Sequence, residues 1–361
     1  MENQTSLENI ISARSLINFI PIQMTLKAAI ELNVFSIIAK SGPASHLTAK
    51  EIASQIPTSN PNAAGNLERI LRLLAAHSLL STTLKPCPND ETLQERAYGL
   101  TNETLCLVPD ENGVSLAPFI ILNSELEIVK SLYMLKDTVL EPDCLPFCKA
   151  HGITIYEYMS KKPEMSQLFN KSMAEISNLN FSEVLKVYKG FEEVKELMDV
   201  GGGIGTSMSK VVSMYPHIHG INFDLPNVVA QAPTYQGVNH VGGNMFETIP
   251  DAQSIMLKWV LHNWGDDQCK KVLRNCWEAL PKSGKLIVVE FAIPEEFERT
   301  KAVLNIVTLD ITMMACPGGK ERTTTEFANL AKHVGFVETK FFPISYGIYV
   351  LEFLKIEEAR D

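Results

Sequence analysis

This sequence of 361 residues lacks the features of a membrane or secreted protein. No apolar stretch approaches the roughly 18 residues of a membrane-spanning helix, and the N-terminus has no charged segment followed by an apolar one. The seven cysteines are odd in number and lack a framework spacing, which favours a reducing compartment over a disulfide scaffold. We therefore expect a cytoplasmic protein without a membrane partner.

The chain also lacks an excess of positive charge, since 32 lysines and arginines stand against 42 aspartates and glutamates and give a formal net charge of −10. Because nucleic-acid binding requires a dense cationic face, we expect no nucleic-acid partner. Hydrophobic residues make up 45% and charged residues 20%, which is typical of a folded globular chain. The length predicts two domains or one elaborated domain.

Residues 1–112 are predicted to form a mainly helical domain that begins with an amphipathic helix. Two short helices, a polar loop over 81–96 and a small strand over 97–101 would build a winged-helix-like unit. Such a unit can bind DNA. Its second helix offers only Arg69 and Arg72 as cations, which favours a structural or dimer-forming role.

From residue 195 onward, apolar strands alternate with helices, a pattern that indicates a doubly wound α/β domain with a parallel sheet covered on both faces. Further helices are predicted between residues 115 and 188. Ligands of an open parallel sheet bind beyond the carboxyl ends of its strands. The predicted strands are 196–200, 218–223, 238–242, 254–260, 285–290, 336–342 and 346–353.

A glycine-rich turn follows the first strand, with Gly201, Gly203 and Gly205 before the next helix. Glycine admits a ligand against bare backbone. Thr206 stands where the dinucleotide fingerprint needs its last glycine, which disfavours a nicotinamide cofactor. Asp224 ends the second strand and is placed either to accept from ribose hydroxyls or to cap the helix that follows.

The ends of the third and fourth strands supply a second group of candidates. Asn244, Met245 and Phe246 follow the third strand and suit the edge and face of a ring. No lysine that could grip phosphates follows the glycine turn, so a nucleoside suits the cleft better than a nucleotide. Lys258 lies inside an apolar strand, where a charge needs a partner or an exit to water.

One histidine and two glutamates fall on loops at the same predicted edge. His262 follows the fourth strand, Glu290 ends the fifth, and Glu321 lies in a tight glycine loop before the last helix. These residues indicate a proton acceptor with two orienting carboxylates. Asp266 and Asp267 resemble a metal pair, but acids in the first turn of a helix are expected from its dipole, so we expect no metal.

Five of these stretches together resemble the plant small-molecule O-methyltransferases of the caffeic-acid O-methyltransferase type, over nearly the whole chain. Before the resemblance is considered, the apolar stripe of residues 169, 173 and 176 indicates only core packing. The matching stretches are Asp199–Gly205, Gly220–Pro226, His240–Phe246, Lys258–His262 and Pro317–Thr323.

The resemblance implies S-adenosyl-L-methionine as cofactor and no metal. The positions that match the family's cofactor-binding residues are Gly201, Asp224, Asn244, Met245 and Lys258. The positions that match its catalytic histidine and flanking acids are His262, Glu290 and Glu321. The positions that match its substrate-lining residues are Asn123, Met165, Phe169, Met173 and Ile176.

The implied reaction is methyl transfer to a phenolic hydroxyl of a plant phenylpropanoid, flavonoid, coumarin or alkaloid, with His262 as general base. The resemblance also implies a Rossmann-like methyltransferase domain over 113–361, with a helical substrate-lining segment over 113–190 and its core over 191–361. The N-terminal domain would form a homodimer. An aromatic amine is an alternative acceptor, and a nicotinamide-dependent oxidoreductase is a weaker alternative. Ile176 stands where the caffeic-acid enzymes have a polar residue, which favours a more apolar acceptor.

Overall fold

The structure is a computed structural model that describes residues 6–87 and 90–355. The chain divides into two compact units, Met1–Glu125 and Leu126–Asp361. The sequence prediction placed the domain boundary at 112/113. The helix over 117–123 belongs to the first unit because Gln23 Nε2 donates to the carbonyl of Asn123 at 2.9 Å.

The first unit is mainly helical. Its helices are α1 (Leu7–Ser15), α2 (Phe19–Glu31), α3 (Val34–Lys40), α4 (Ala49–Ala53), α5 (Ala63–Ala76), α6 (Asn102–Leu105) and α7 (Ala117–Asn123), with a 3-10 turn at Leu16–Asn18. Its strands are β1 (Leu47–Thr48), β2 (Leu80–Cys87) and β3 (Asp90–Leu100), in the order β1-β3-β2. No single helix among the described residues is long and apolar enough to cross a bilayer, although the bent pair Leu7–Glu31 and Val34–Lys40 passes on length and composition.

The loop predicted over 81–96 is wrong for its described residues, which form most of an antiparallel hairpin; positions 88 and 89 lie outside the described part. The β2 residues Thr82, Thr83 and Leu84 are exposed, so this strand shows no apolar alternation. Its partner β3 ends in the buried pair Ala97 and Tyr98, which explains why only that end was predicted as a strand.

The second unit contains ten helices and seven strands among its described residues. The helices are α8 (Leu126–Leu132), α9 (Leu135–Leu140), α10 (Pro146–His151), α11 (Ile155–Lys161), α12 (Pro163–Val187), α13 (Thr206–Met214), α14 (Pro226–Val229), α15 (Asp266–Ala279), α16 (Lys301–Ala315) and α17 (Thr324–Val334). The strands are β4 (Glu196–Val200), β5 (His219–Asp224), β6 (Val238–Gly242), β7 (Ser254–Lys258), β8 (Lys285–Phe291), β9 (Glu338–Pro343) and β10 (Ile348–Leu354).

The seven strands form one sheet in the order β6-β5-β4-β7-β8-β10-β9. The first five are parallel, and β10 runs antiparallel to both of its neighbours. Strand order reverses between β4 and β7, so the crevice of a doubly wound fold opens there, beyond Val200 and Lys258.

Successive residues of each central strand enter different cores. In β7, Leu257 packs into the cluster with α15 and α17, whereas Met256 packs into the cluster with α12 and α13. In β8, Val288 and Ile287 divide in the same way. The sheet is therefore buried on both faces, which leaves its carboxyl edge for polar chemistry.

Candidate active site

The glycine turn begins where β4 ends. Gly201, Gly203 and Gly205 have φ angles of +74°, +60° and +87°, a region that side chains with a Cβ rarely adopt. The Gly201 amide donates to the carbonyl of Phe223 at 2.8 Å, so the turn is anchored to the neighbouring strand.

Asp224 closes this turn from the end of β5. Its Oδ2 accepts from the Gly203 amide at 2.8 Å and its Oδ1 from the Leu225 amide at 2.7 Å. Burial raises the pKa of the Asp224 carboxyl, and these two N–H donors oppose that rise. Leu225, not Asp224, occupies the N-cap position of α14. The carboxylate thus braces the glycine turn at the crevice.

Asp199 lies inside β4, only 1% exposed, and neither carboxylate oxygen has a hydrogen-bond partner among the described residues. Burial raises its pKa, whereas the charge of Lys258 lowers it. A buried unpaired carboxylate suits a ligand that brings a cation or an N–H donor. This residue was not selected as a site residue from the sequence, although its place before the glycines was the available signal.

The loop after β6 orders itself around Asn244. The side chain donates from Nδ2 to Glu247 Oε1 at 3.0 Å and accepts at Oδ1 from the Phe246 amide at 3.0 Å. The Met245 carbonyl accepts from Asn275 Nδ2 at 2.7 Å, which ties the loop to α15. Phe246 meets Trp264 edge to face at 4.7 Å between ring centroids. Asn244 and Met245, the predicted cofactor-binding residues of this loop, therefore lie at the carboxyl edge of the sheet.

Lys258 ends β7 and reaches the helix that carries the predicted substrate stripe. Its Nζ donates to Ser177 Oγ at 2.9 Å and lies 3.9 Å from the Trp259 ring centroid. Burial lowers its pKa, which nearby acids partly offset. Ser177 was not predicted as a site residue, and it follows Ile176 directly on α12.

The stripe itself occupies one face of α12. Met165 and Ile176 are buried, whereas Phe169 and Met173 are half-buried. Asn123 lies in the first unit, where its Nδ2 donates to the Phe119 carbonyl at 2.9 Å. The substrate role of all five residues stays a prediction.

His262 lies on a 3-10 turn, Leu261–Asn263, directly beyond β7. Its Nδ1 is 2.7 Å from Glu321 Oε1 and 3.9 Å from Glu290 Oε2. When the Nδ1 proton is donated to Glu321, Nε2 is the ring nitrogen with a free lone pair. The structure thus brings the three predicted catalytic residues together.

The two glutamates support the histidine differently. Glu321 bonds the ring, whereas Glu290 Oε1 accepts from the backbone amides of Val260 and Leu261 at 2.9 and 2.8 Å. The second oxygen of each glutamate, Oε2, is buried and makes no hydrogen bond within the described residues. Glu290 therefore fixes the backbone before His262 and adds its charge at longer range.

The electrostatics of this cluster raise the affinity of the His262 ring for a proton. Burial lowers the pKa of His262, but the charges of Glu290 and Glu321 and the bond to Glu321 outweigh it, so the pKa is raised. Burial raises the pKa of Glu290 to about 7. A proton that reaches His262 is thus stabilised by two nearby carboxyl groups.

One ligand atom from each of His262, Glu290 and Glu321 lies within 4.8 Å of the others, a spacing that also suits a metal ion. A metal on Nδ1 would displace the bond to Glu321. The acids Asp266 and Asp267 do not join this group. Asp266 instead pairs with the buried Arg322, with Nη2 2.7 Å from Oδ1, which the helix-dipole explanation did not anticipate.

Comparison with known proteins identifies two family models along the chain. An O-methyltransferase domain matches residues 132–337, and an O-methyltransferase dimerisation domain matches residues 15–110. The dimerisation model matches within the first unit and the methyltransferase model within the second. Both agree with the resemblance drawn from the sequence motifs.

Individual proteins show the same likeness. The chain is 50% identical to (S)-scoulerine 9-O-methyltransferase of Coptis japonica, over 96% of this chain and 90% of the relative. It is 45% identical to caffeic acid 3-O-methyltransferase of Eucalyptus gunnii, over 92% of this chain and 90% of the relative. The structure of human N-acetylserotonin methyltransferase with S-adenosylmethionine matches with a TM-score of 0.83 at 20% identity, covering 99% and 100% of the two chains.

These matches confirm the predicted fold class, and the glycine turn and unpaired Asp199 suit a cationic nucleoside cofactor. The nicotinamide alternative gains no support from them. The chain belongs to the O-methyltransferase family, and it is an S-adenosyl-L-methionine-dependent O-methyltransferase with an N-terminal dimerisation domain.

Proposed function

We propose that this enzyme methylates a phenolic hydroxyl of a plant aromatic metabolite, with His262 as the general base. The observation that carries the proposal is the short contact between His262 Nδ1 and Glu321 Oε1, which leaves Nε2 to take the acceptor's proton. Bound S-adenosylmethionine supplies an electrophilic methyl group.

Proton removal is the step that needs the protein. A phenol with a pKa of about 10 is ionised to about one part in a thousand at pH 7, a deficit of about 4 kcal/mol. A positioned base contributes roughly 10²- to 10⁴-fold. As the phenolic O–H bond breaks, its proton would pass to Nε2. The bond between the sulfonium sulfur and the methyl carbon would break as the bond from the phenolic oxygen to that carbon forms, with S-adenosylhomocysteine as the leaving group. Glu290 and Glu321 stabilise the resulting imidazolium.

The cofactor would bind across the glycine turn. Asp224 is placed for the ribose hydroxyls, and Asp199 offers two unpaired oxygens to a cationic group. Gly201 gives the turn a positive φ and admits Val260 where a Cβ would lie, and Asn244 and Met245 follow β6 at the same edge. Lys258 lies between this region and the substrate stripe on α12.

The acceptor class rests on the relatives' names together with the apolar stripe. Relatives are named for scoulerine, desmethyl-yatein, myricetin and caffeic acid. The side chains of Met165, Phe169, Met173 and Ile176 offer apolar surface without charge, which suits an aromatic ring more apolar than caffeic acid.

The proposal also includes a homodimer and a cytoplasmic location without metal. Large apolar side chains of the first unit are exposed, with Leu7, Ile17 and Phe19 at 73%, 74% and 69%. A second copy would cover them. All seven cysteines are free thiols, which suits a reducing compartment. A metal on Nδ1 would have to displace the hydrogen bond to Glu321, which supports the metal-free proposal at that nitrogen.

A labelled-methyl transfer assay over catechol and guaiacol phenols, with aromatic amines as an additional panel, tests the reaction. We expect transfer to at least one phenol, unchanged after treatment with EDTA. Transfer only to amines would replace the proposal with N-methylation. Loss of activity on EDTA treatment, restored by one divalent ion, would overturn the metal-free mechanism.

Deleting residues 1–40 tests the dimer. We expect the deletion to abolish both the dimer and the activity, as measured by sedimentation and methyl transfer. A monomeric, fully active truncation would contradict the proposal.

A further inference from the structure

Arg322 is fully buried on the segment between α16 and α17, and each of its five N–H donors has an acceptor. Nε and Nη2 donate to Asp266 Oδ1 at 3.1 and 2.7 Å. Nη2 also donates to the Trp264 carbonyl at 2.8 Å. Nη1 donates to the carbonyls of Leu261 and Lys320 at 3.0 and 3.4 Å.

Two of these acceptors bracket the catalytic histidine. The Leu261 carbonyl directly precedes His262, and the Trp264 carbonyl follows it by two residues. Glu290 holds the same segment through the Val260 and Leu261 amides. The backbone that carries His262 is therefore fixed from two sides.

The segment that carries Arg322 also carries Glu321, the direct partner of the imidazole. The Glu321 amide donates to Asp310 Oδ1 at 2.8 Å, and the Arg322 carbonyl accepts from the Ile293 amide at 3.0 Å. A Cβ on Gly319 would lie 2.1 Å from the His262 carbonyl oxygen, so the two backbones touch. Arg322 thus joins the histidine's loop to the loop of its glutamate.

We propose that the Arg322–Asp266 ion pair is a positioning device that sets the contact between His262 Nδ1 and Glu321 Oε1. This inference rests on the proposed role of His262 as general base. The fork of the guanidinium binds three carbonyls and a carboxylate at fixed angles, which a point charge does not reproduce. Arg322 and Asp266 act through His262 and do not touch the acceptor.

The chain provides a matched control for this role. Asp266 and Asp267 are adjacent first-turn acids of α15, so either change to asparagine removes one favourable charge from the helix start. Asp266 contacts Arg322 at 2.7 Å and lies 3.8 Å from Lys320 Nζ, whereas Asp267 is 94% exposed and pairs with Lys270. A difference between the two variants therefore reports the contacts of Asp266 with residues 320 and 322, of which the buried Arg322 is the nearer.

The experiment measures kcat for methyl transfer and the Kd for S-adenosylhomocysteine in Asp266→Asn, Asp267→Asn and Arg322→Lys. We expect kcat to fall roughly 3- to 10-fold in Asp266→Asn and roughly 10- to 100-fold in Arg322→Lys, because small displacements of a catalytic group slow the reaction. The Kd should stay within about twofold in all three variants. Equal kcat in Asp266→Asn and Asp267→Asn would overturn the proposal. This comparison of the two aspartate variants can be made even if Arg322→Lys fails to fold.

A cycle with His262→Ala separates positioning from general stability. With the base removed, Asp266→Asn should lower the residual rate by less than about twofold, since residues that act as a unit are not additive. An undiminished effect in a slow His262→Ala enzyme would overturn the positioning role alone. A near-native rate in His262→Ala itself would instead overturn the proposed base.

Discussion

The two halves of the sheet's carboxyl edge hold their polar groups in different ways. At the ends of β4 and β5, a backbone turn of glycines with positive φ forms the site. The hydrogen bond from the Gly203 amide to Asp224 holds this turn and joins residues 21 apart in sequence. At the ends of β7 and β8, side chains from distant segments meet, and His262 and Glu321 are 59 residues apart.

We call the ends of β4 and β5 the glycine half and the ends of β7 and β8 the histidine half. The glycine half contains buried polar atoms without hydrogen bonds in the described part of the chain, whereas the polar side chains of the histidine half contact one another. Both oxygens of Asp199 lack a partner among the described residues, so the glycine half has acceptors that a cofactor can satisfy. The histidine half already contains the ring, its glutamate and the buried Arg322 in contact. Such preorganisation lets a base act without rearrangement during the reaction.

The largest expected effect comes from removing the base. His262→Ala should lower the methyl-transfer rate roughly 10²- to 10⁴-fold, while affinity for S-adenosylmethionine changes only a few-fold, because the glycine half does not contain the residue. Part of the rate should return as pH rises and phenolate forms. Single-turnover rates and calorimetric binding provide the measurements.

The exposed His217 is a control for that change, and His217→Ala should leave both quantities unchanged. A near-native rate for His262→Ala at pH 7, on an acceptor of ordinary phenolic pKa, would contradict the mechanism.

A smaller effect is expected in the glycine half. Asp224→Ala removes the proposed acceptor for the ribose hydroxyls and releases the Gly203 amide. Charge-assisted bonds are worth roughly 1.5–3 kcal/mol, so cofactor affinity should fall about 10- to 150-fold, with little change in KM for the acceptor. Asp251→Ala, at an exposed acid before β7, serves as the control in calorimetry. Unaltered cofactor affinity in a folded Asp224→Ala enzyme would limit Asp224 to bracing the turn.

The smallest effect is a shift in pH dependence. Because the charges of Glu290 and Glu321 outweigh burial and raise the pKa of His262, the base form accumulates only as pH rises above the usual histidine pKa, and activity should rise with it. Glu321→Gln removes one of these charges, so the acid limb of kcat/KM should move to lower pH, while the plateau falls less than in His262→Ala.

Glu290→Gln sharpens this test, because Glu290 also holds the Val260 and Leu261 amides. We expect it to move the limb in the same direction and to lower the plateau further than Glu321→Gln. An acid limb that stays in place in both variants would show that neither carboxylate sets the histidine pKa.

The same contrast explains what the sequence can predict. The glycine turn, Asp224 and the alternation of strands with helices rest on local patterns, and the fold class follows from them. The bond between Asp266 and Arg322 joins residues 56 apart, so local sequence suggested only a helix dipole effect for the acid. Ser177 was missed for the same reason, since its contact with Lys258 spans 81 residues.

The hairpin over 80–100 was missed for a different reason. Its outer strand, β2, is exposed at four of its eight positions and carries no apolar alternation, so propensity alone did not indicate a strand. The strand β2 forms because its backbone pairs with β3, and that pairing cannot be read from the sequence of β2 alone.

The close approach at Gly319 has a consequence for engineering acceptor range. With its Cβ position 2.1 Å from the His262 carbonyl oxygen, a saturation library at 319 should recover glycine alone among active clones. Residues 169, 173 and 176 lie on α12, outside the two segments that form that backbone contact, and are half-buried or buried. Diversity placed there should change which acceptors are used while the loops around the base keep their geometry.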